Sequence, residues 1–267
     1  MTSYPTFFQA ISRWLLVLAV LLLVGGCAIS QDQEVALGRD ARPQFEKEFG
    51  GVYPDPEVQQ YVQEVGLRMA RYAKRPDLPW EFRVLNSDTI NAFALPGGFI
   101  YITRGLLMNL QTEAQLAGIL GHESAHVANR HSVQQLERAQ VLQGGAVLAG
   151  VLGGGTVADL GAVVAGLVNL QYSREQEKEA DLDGLEYLAR AGYDPRALIQ
   201  DMQILEKLSQ GQRPPEFLSS HPNPENRQEY LSQTVERRFG QIIAGGKTGR
   251  EEFRRQVLDR NARRAVR

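Results

Sequence analysis

The chain has one cysteine, Cys27, four histidines and two tryptophans in 267 residues. A lone cysteine excludes an intramolecular disulfide and the cysteine-rich kind of structural zinc site. Charge of either sign is also scarce in the balance. The 29 basic and 31 acidic residues leave a net −2, which gives no reason to expect nucleic acid as a partner. No unbroken apolar run reaches the roughly 20 residues that a membrane-crossing helix needs. Internal repeats and long proline- or serine-rich linkers are missing too. With 43% apolar and 22% charged residues, the composition suits a globular protein with one sizeable core, as one domain or one domain plus tails.

What the chain does have begins at the N-terminus. Arg13 precedes WLLVLAVLLLV, Trp14 to Val24, about eleven apolar residues, the length of a signal-peptide core. The run ends in Val24-Gly25-Gly26-Cys27, which resembles a bacterial lipobox. On that reading 1–26 is a lipoprotein signal peptide, Cys27 is acylated, and 27–50 is a lipid-anchored N-terminal segment. Several acyl chains on one residue anchor stably, since each buried CH₂ contributes about 0.8 kcal/mol. Ala28 in place of Asp implies sorting to the outer membrane, on its periplasmic face. At the other end, 241–267 reads as a basic tail. Eight basic residues between Lys247 and Arg267 face Glu251, Glu252 and Asp259; a frayed terminus or solvated helix face is expected, with anionic lipid or an acidic partner as the alternative.

Between these ends the pattern is mostly helical. Val58, Tyr61, Val62, Val65, Leu67 and Met69 recur at helical spacing behind Pro54 and Pro56. Trp80–Asn86 alternates like a strand, and Phe99–Thr103 reads as a second, entered through Pro96-Gly97-Gly98. Ser173, Asp194-Pro195 and Asn223-Pro224 mark helix starts. From Val141 to Leu170 almost every residue is Ala, Val, Leu or Gly. The two halves, split at Gly153-Gly154-Gly155, are each too short to span a bilayer. They form a buried helical hairpin, a mobile flap, or a surface that touches lipid.

Three of the four histidines fall in LGHESAHVANRH, Leu120 to His131. His122 and His126, four apart, share one helix face at about 6 Å, so two imidazoles can grip one small cation. Glu123 lands beside such an ion but off the ligand axis, where it can act on a water; this is the mechanics of H-E-x-x-H. His131, nine residues past His122, points to the opposite face at 100° per residue and is expected to be solvated or capping. A catalytic zinc site normally takes three protein ligands. Glu175, Glu177 and Glu179 qualify by type. The stripe Glu177, Ala180, Asp181, Gly184 is lined by small residues, as is His122, Ala125, His126, Asn129. Two helices meeting through Ala125 and Ala180 bring Glu177 to the metal, and Asp181 then accepts the other ring N–H of a ligand histidine.

With these residues in place, the chain resembles the zinc metalloendopeptidase family that includes the CAAX prenyl proteases. Within it, the likeness is to the soluble, periplasmic bacterial branch of the beta-barrel assembly-enhancing proteases. NAFALPGGFIYITRGLL (Asn91 to Leu107), GHESAH, SREQEKEAD and SSHPNPENR (Ser219 to Arg227) occur in the family's order. The resemblance implies a predominantly helical α+β fold of the zincin-like (gluzincin) kind, with a small sheet beside the HExxH helix, over 51–240. It implies one Zn²⁺ per chain on His122, His126 and Glu177, with Glu123 as the catalytic base. His221 corresponds to a family histidine that stabilises the oxyanion or, in a closed state, occupies the metal's open position. Arg227 corresponds to the arginine near it. Asn91, Ala92 and Phe93 correspond to the cleft edge where an extended substrate adds as a strand. The implied activity is hydrolysis of misfolded or stalled envelope proteins, with the outer-membrane assembly machinery as a possible partner. The competing reading is a largely latent zinc-bearing chaperone or scaffold. No tetratricopeptide array follows the zinc region, so docking by helical repeats is not expected. The membrane spans of the prenyl proteases are likewise missing, so prenyl-peptide processing is not expected.

Overall fold

The computed structural model describes residues 29–142, 157–210, 215–221, 227–243 and 245–265. Cys27 with its signal sequence, residues 143–156 of the apolar segment, and the Asn223-Pro224 helix start lie outside the described residues.

The sheet has three strands, β1 (Glu81–Leu85), β2 (Ala92–Leu95) and β3 (Phe99–Thr103), in the order β1-β3-β2. β1 runs parallel to β3 and β2 antiparallel to it. β1 alternates over Glu81–Val84, whereas β2 and β3 are buried throughout because both faces of the sheet are covered. Phe82, Val84, Ala92, Ala94, Ile100 and Ile102 join the main core, whereas Leu85, Phe93, Leu95, Phe99 and Tyr101 join a second cluster behind the sheet. The β2–β3 turn uses Gly97 at φ +82°; a Cβ there would meet the Val35 backbone at 2.6 Å.

That second cluster is closed by α1 (Gln31–Glu48), which the sequence pattern presents only as a polar stretch. Ser30 and Gln33 form its capping box, and Leu37, Ala41 and Phe45 make a narrow apolar stripe. α2 (Pro56–Ala70) starts at Asp55, whose carboxylate accepts from the N–H groups of Glu57 and Val58. Its buried face is Val58, Tyr61, Val62, Val65 and Met69 as the spacing predicts, but Leu67 is 43% exposed. Gly66 is buried instead, because the Phe82 ring occupies the place a Cβ would take.

Helix α2 also finishes one edge of the sheet. Gln59 and Gln63, one turn apart, reach the outer side of β1. Gln63 accepts from Phe82 N–H at 2.7 Å and donates to the Trp80 carbonyl at 3.3 Å. Gln59 accepts from Val84 N–H and donates to the Val84 carbonyl, both at 2.9 Å. Two side-chain amides, together with a main-chain bridge from Val52 to Leu85, thus stand where a fourth strand would pair.

After α3 (Arg104–Leu107) comes α4 (Glu113–Ala128), capped by Thr112 and Gln115. Every residue of α4 is buried. It is packed by α2, by β2 and β3, and by the later helices α7 (Arg174–Arg190) and α8 (Arg196–Ser209). α5 (His131–Leu142) and α6 (Val157–Val168) flank the segment left undescribed, and α6 packs on α1 through Val163, Val164 and Leu167. α7 begins at Ser173 as expected, through a capping box with Gln176. α9 (Phe217–Ser220) and α10 (Arg227–Ile243) follow.

The basic C-terminal residues fold rather than fray. α11 (Arg250–Phe253), a π turn (Arg254–Leu258) and α12 (Asp259–Ala265) bury Phe253 and Val257 completely. Their docking is set by carboxylates elsewhere: Lys247 reaches Glu113 at 2.6 Å and Arg260 reaches Asp55 at 3.0 Å. No helix among the described residues is long and apolar enough to cross a membrane.

Candidate metal centre

Helices α4 and α7 cross through small residues. Ala125 and Ala180 are buried at the crossing, and Gly184 lies so close that a Cβ there would sit 3.3 Å from the His122 amide nitrogen. This approach, expected from the two small-residue stripes, brings α7's Glu177 to the paired imidazoles of α4. His122 Nε2 and His126 Nε2 are 3.0 Å apart. Glu177 lies 3.3 Å from His126 Nε2 and 3.6 Å from His122 Nε2. His221, at the end of α9, closes the group, with Nδ1 2.9 Å from Glu177 Oε1 and 3.3 Å from His122 Nε2. One donor atom from each of the four falls within 4.8 Å of every other, and all four residues are buried.

These donors fit a divalent cation. Ring nitrogens 3.0 Å apart inside a dry site repel unless a proton or a cation lies between them. Glu177 Oε2 is buried without a hydrogen bond. Imidazole nitrogens with a carboxylate oxygen are the donor set of zinc. When bound, zinc supplies a Lewis acid that brings water's pKa near 7 and polarises a carbonyl.

The electrostatics separate the two carboxylates. Burial pushes Glu123 above the ordinary carboxylate value, and neither of its oxygens has a hydrogen-bond partner. Glu177 is held well below that value; burial raises it, but the surrounding imidazoles, His221 foremost, outweigh it. Such a split is what separates a proton-transfer group from a permanently ionised ligand. His221 is raised, because Glu177 and Glu123 overcome its burial, and its Nε2 stands 3.5 Å from Glu123 Oε1.

Around this group sit the expected supports. His122 Nδ1 faces Asp181 Oδ1 at 3.0 Å. Arg227 is completely enclosed and grips Asp181 bidentately, at 2.8 and 2.7 Å, with its third nitrogen 3.2 Å from Glu177 Oε2. Asp181 is buried, which raises its pKa, yet Arg227 and His122 bring it down to about 2. Tyr230 also donates to it.

His131 departs from expectation. It is buried, with Nδ1 2.9 Å from His126 Nδ1 and Nε2 3.3 Å from Glu179 Oε2. Counting 100° per residue from His122 fails because α4 stops at Ala128. Arg130 turns left-handed at φ +59°, and His131 opens a new helix in a different phase. Asn129 as a helix stop was the available signal. Glu179, exposed on α7, holds His131 and Lys74. Tyr172, not singled out from sequence, stacks on His126 at 3.8 Å between ring centroids, and Phe217 stacks on His221 at 4.2 Å.

Asn91 precedes β2, the sheet's other edge, and Ala92 and Phe93 begin it; all three are buried. The Phe93 ring packs behind the sheet on Phe45 and Phe49, so this segment offers the cleft main chain rather than an aromatic side chain. The Asn91 side chain accepts from Ala92 N–H at 2.9 Å. A slot walled by Ala92–Leu95, Leu167, Tyr172 and His221 adjoins the histidine cluster, and next to it lies a cavity of about 300 Å³ lined by Asn91, Leu170, Glu216 and Ser219.

An H-E-x-x-H helix, a glutamate brought against its histidines by a crossing helix and a small sheet at its side define a zincin-like metallopeptidase domain of the gluzincin kind. The chain belongs to peptidase family M48, whose sequence signature matches residues 56–235. It is 32% identical over 215 residues to the Putative beta-barrel assembly-enhancing protease of Vibrio cholerae serotype O1, covering 76% of this chain and 44% of that one. To the Beta-barrel assembly-enhancing protease of Escherichia coli K12 it is 31% identical over 216 residues, with the same coverage. To the Mitochondrial metalloendopeptidase OMA1 of Arabidopsis thaliana it is 35% identical over 181 residues, or 66% of this chain and 36% of that one. The chain therefore spans less than half the length of these relatives.

Proposed function

We propose that the protein is a zinc endopeptidase that removes misfolded or stalled proteins of the bacterial envelope. The observation that carries the peptidase reading is Glu123. A fully buried carboxylate with both oxygens unpartnered, beside a cluster of four metal-ligating side chains, is destabilising for a purely structural site and is what proton transfer requires. His122, His126 and Glu177 are the ligands. Glu123 takes a proton from the attacking water and returns it to the leaving amine. His221, raised and adjacent, donates to the oxyanion, a type of contribution worth about 3–4 kcal/mol where one donor has been removed. The test is Glu123→Gln, which keeps zinc and lowers cleavage of an unfolded protein by about 10²–10⁴-fold. Wild-type turnover in that variant rejects Glu123 as the base.

The substrate class and the address rest on the bacterial relatives and on the lipobox-like sequence before Cys27. Acylation of Cys27 would hold the enzyme on the periplasmic face of the outer membrane, near the assembly machinery. Cys27→Ala then releases it from membranes; continued sedimentation with them counts against the anchor.

His221 favours a second reading. Its Nδ1 lies inside the ligand group, 2.9 Å from Glu177, where it can fill the fourth coordination position and keep the enzyme latent as a client-binding scaffold. Single-turnover assays with and without chelator separate the two. Chelator-sensitive product means a peptidase, and binding without product means a scaffold.

A further inference from the structure

The two histidines of α4 are oriented by different means. His122 Nδ1 faces the Asp181 carboxylate at 3.0 Å. The neighbour of His126 Nδ1 is another imidazole nitrogen, His131 Nδ1, at 2.9 Å. His131 Nε2 lies 3.3 Å from Glu179 Oε2, and Glu179, half exposed, continues to Lys74 at 3.3 Å. We propose that His131 and Glu179 are positioning residues for the metal centre, fixing the proton of His126 on Nδ1 so that its Nε2 lone pair faces the ion. The proposal rests on the metal-centre reading above.

Proton counting leaves one arrangement. His126 Nε2 points into the cluster, 3.0 Å from His122 Nε2 and 3.3 Å from Glu177, and a ligating nitrogen carries no proton. A neutral His126 then carries its proton on Nδ1. Two Nδ1 atoms at 2.9 Å share a single hydrogen, so His131 Nδ1 accepts. Its own proton therefore sits on Nε2 and is donated to Glu179. In the reverse arrangement His131 donates from Nδ1, His126 is protonated on Nε2 inside the cluster, and a cation is excluded. The ring under His126 is held there by the left-handed Arg130 and by the start of α5. Tyr172, stacked on the face of His126, blocks the ring flip that would exchange the two nitrogens. A metal-ligating histidine usually hands its second N–H to a carboxylate, carbonyl or water. Here a second histidine is interposed, and the carboxylate lies at the surface.

The test uses the full chain loaded with zinc and labelled with ¹⁵N-histidine; four histidines in all make the ring signals assignable. The expected spectrum shows His126 protonated on Nδ1 and His131 on Nε2, and a proton on His131 Nδ1 overturns the proposal. Zinc affinity supplies the second readout. His131→Leu, similar in bulk but without an acceptor, weakens zinc by about 10–100-fold. His131→Asn, whose amide oxygen stands in for Nδ1, restores most of that loss. Equal affinity in wild type and His131→Leu overturns the relay alone. A wild-type chain that takes up no zinc overturns the metal centre and the relay together. Should His131→Leu fail to fold, the ring-proton assignment on the wild-type chain decides.

Discussion

Arg227 illustrates what single side chains contribute once burial removes water. Its guanidinium is fully enclosed and answers two carboxylates, Asp181 by a two-point grip and Glu177 by a single contact. Removing one partner of a buried pair leaves the other charge stranded, at about 3–5 kcal/mol. Arg227→Met is therefore expected to lower stability by that amount in urea titration. Arg227→Lys should recover only part, because an ammonium cannot form the planar fork. Asp201 on α8 is the opposite case. It is buried with neither oxygen partnered, 2.5 Å from where a Cβ on Gly118 would be, and burial holds its pKa well above 3.8. A raised carboxyl stays protonated in the folded chain while the unfolded chain ionises, so stability falls as pH rises from about 4 towards the folded value. Asp201→Asn, which cannot ionise, should be more stable than wild type at pH 7 and closely matched near pH 4. Urea midpoints at both pH values check this, and a pH-independent difference contradicts it. The His122–His126 pair of the proposed metal centre was legible in the sequence because i, i+4 spacing is local geometry. Asp201 was not, since its enclosure depends on a helix some 80 residues away in the chain.

Elements were legible where their signals are short-range. The capping sequence at Ser173 starts α7, and the apolar run Phe99–Thr103 is β3 from end to end. Phase errors arose where tertiary contacts decide: Leu67 turned outwards because Gly66 was needed against Phe82, and His131 turned inwards because Arg130 broke the helix. Polar α1 was missed because its apolar stripe is only three residues long, one per turn. Residue patterning alone could not tell the two edges of the sheet apart; only the family resemblance pointed to Asn91–Phe93 as the cleft edge. An unprotected edge invites strand addition. On β1 the amides of Gln59 and Gln63 occupy the N–H groups of Phe82 and Val84 and the carbonyls of Trp80 and Val84, the Val52 bridge covers the end at Leu85, and a groove of about 350 Å³ runs alongside. The Gln59→Leu, Gln63→Leu double variant should open that edge. Concentration-dependent self-association in analytical ultracentrifugation is the expected result. The corresponding Glu pair, whose charges deter strand pairing, should stay at the wild-type sedimentation coefficient. A monomeric leucine variant of unchanged stability would show that the glutamines do not guard the edge.

For the whole molecule, the family match at 56–235 leaves out α1 before it and, after it, the last turns of α10 and residues 245–265. Both flanks are built into the same body. α1 covers Phe93, Leu95, Phe99 and Tyr101 on the back of the sheet with Leu37, Ala41, Phe45 and Phe49. Its Glu34 is buried and ion-paired to Arg75 at 2.9 Å and to Arg130 at 3.2 Å, so the turn that delivers His131 to the metal centre is held from outside the matched region. The C-terminal helices seat Phe253 against Tyr61, and the segment before them sets Lys247 against Glu113, the first residue of α4. Each large apolar side chain returned to water loses about 1.5–3 kcal/mol. Exposing the sheet's back and the Phe253 site together therefore rivals the about 5–15 kcal/mol that separates a folded domain from its unfolded chain. A fragment of residues 56–235 should accordingly fail to fold alone, showing low helicity by circular dichroism and aggregation on concentration. A monomeric fragment with a cooperative melt would show instead that the flanks are ornaments on a self-sufficient domain. In the full chain Phe45→Ala should lower stability by about 3–5 kcal/mol and leave zinc affinity unchanged, because Phe45 touches the sheet but not the Glu34–Arg130 joint. Glu34→Ala should lower both stability and zinc affinity, since it strands Arg75 and frees the turn at Arg130. A difference of that kind between the two variants would locate the route from α1 to the metal in one buried carboxylate rather than in the packing as a whole.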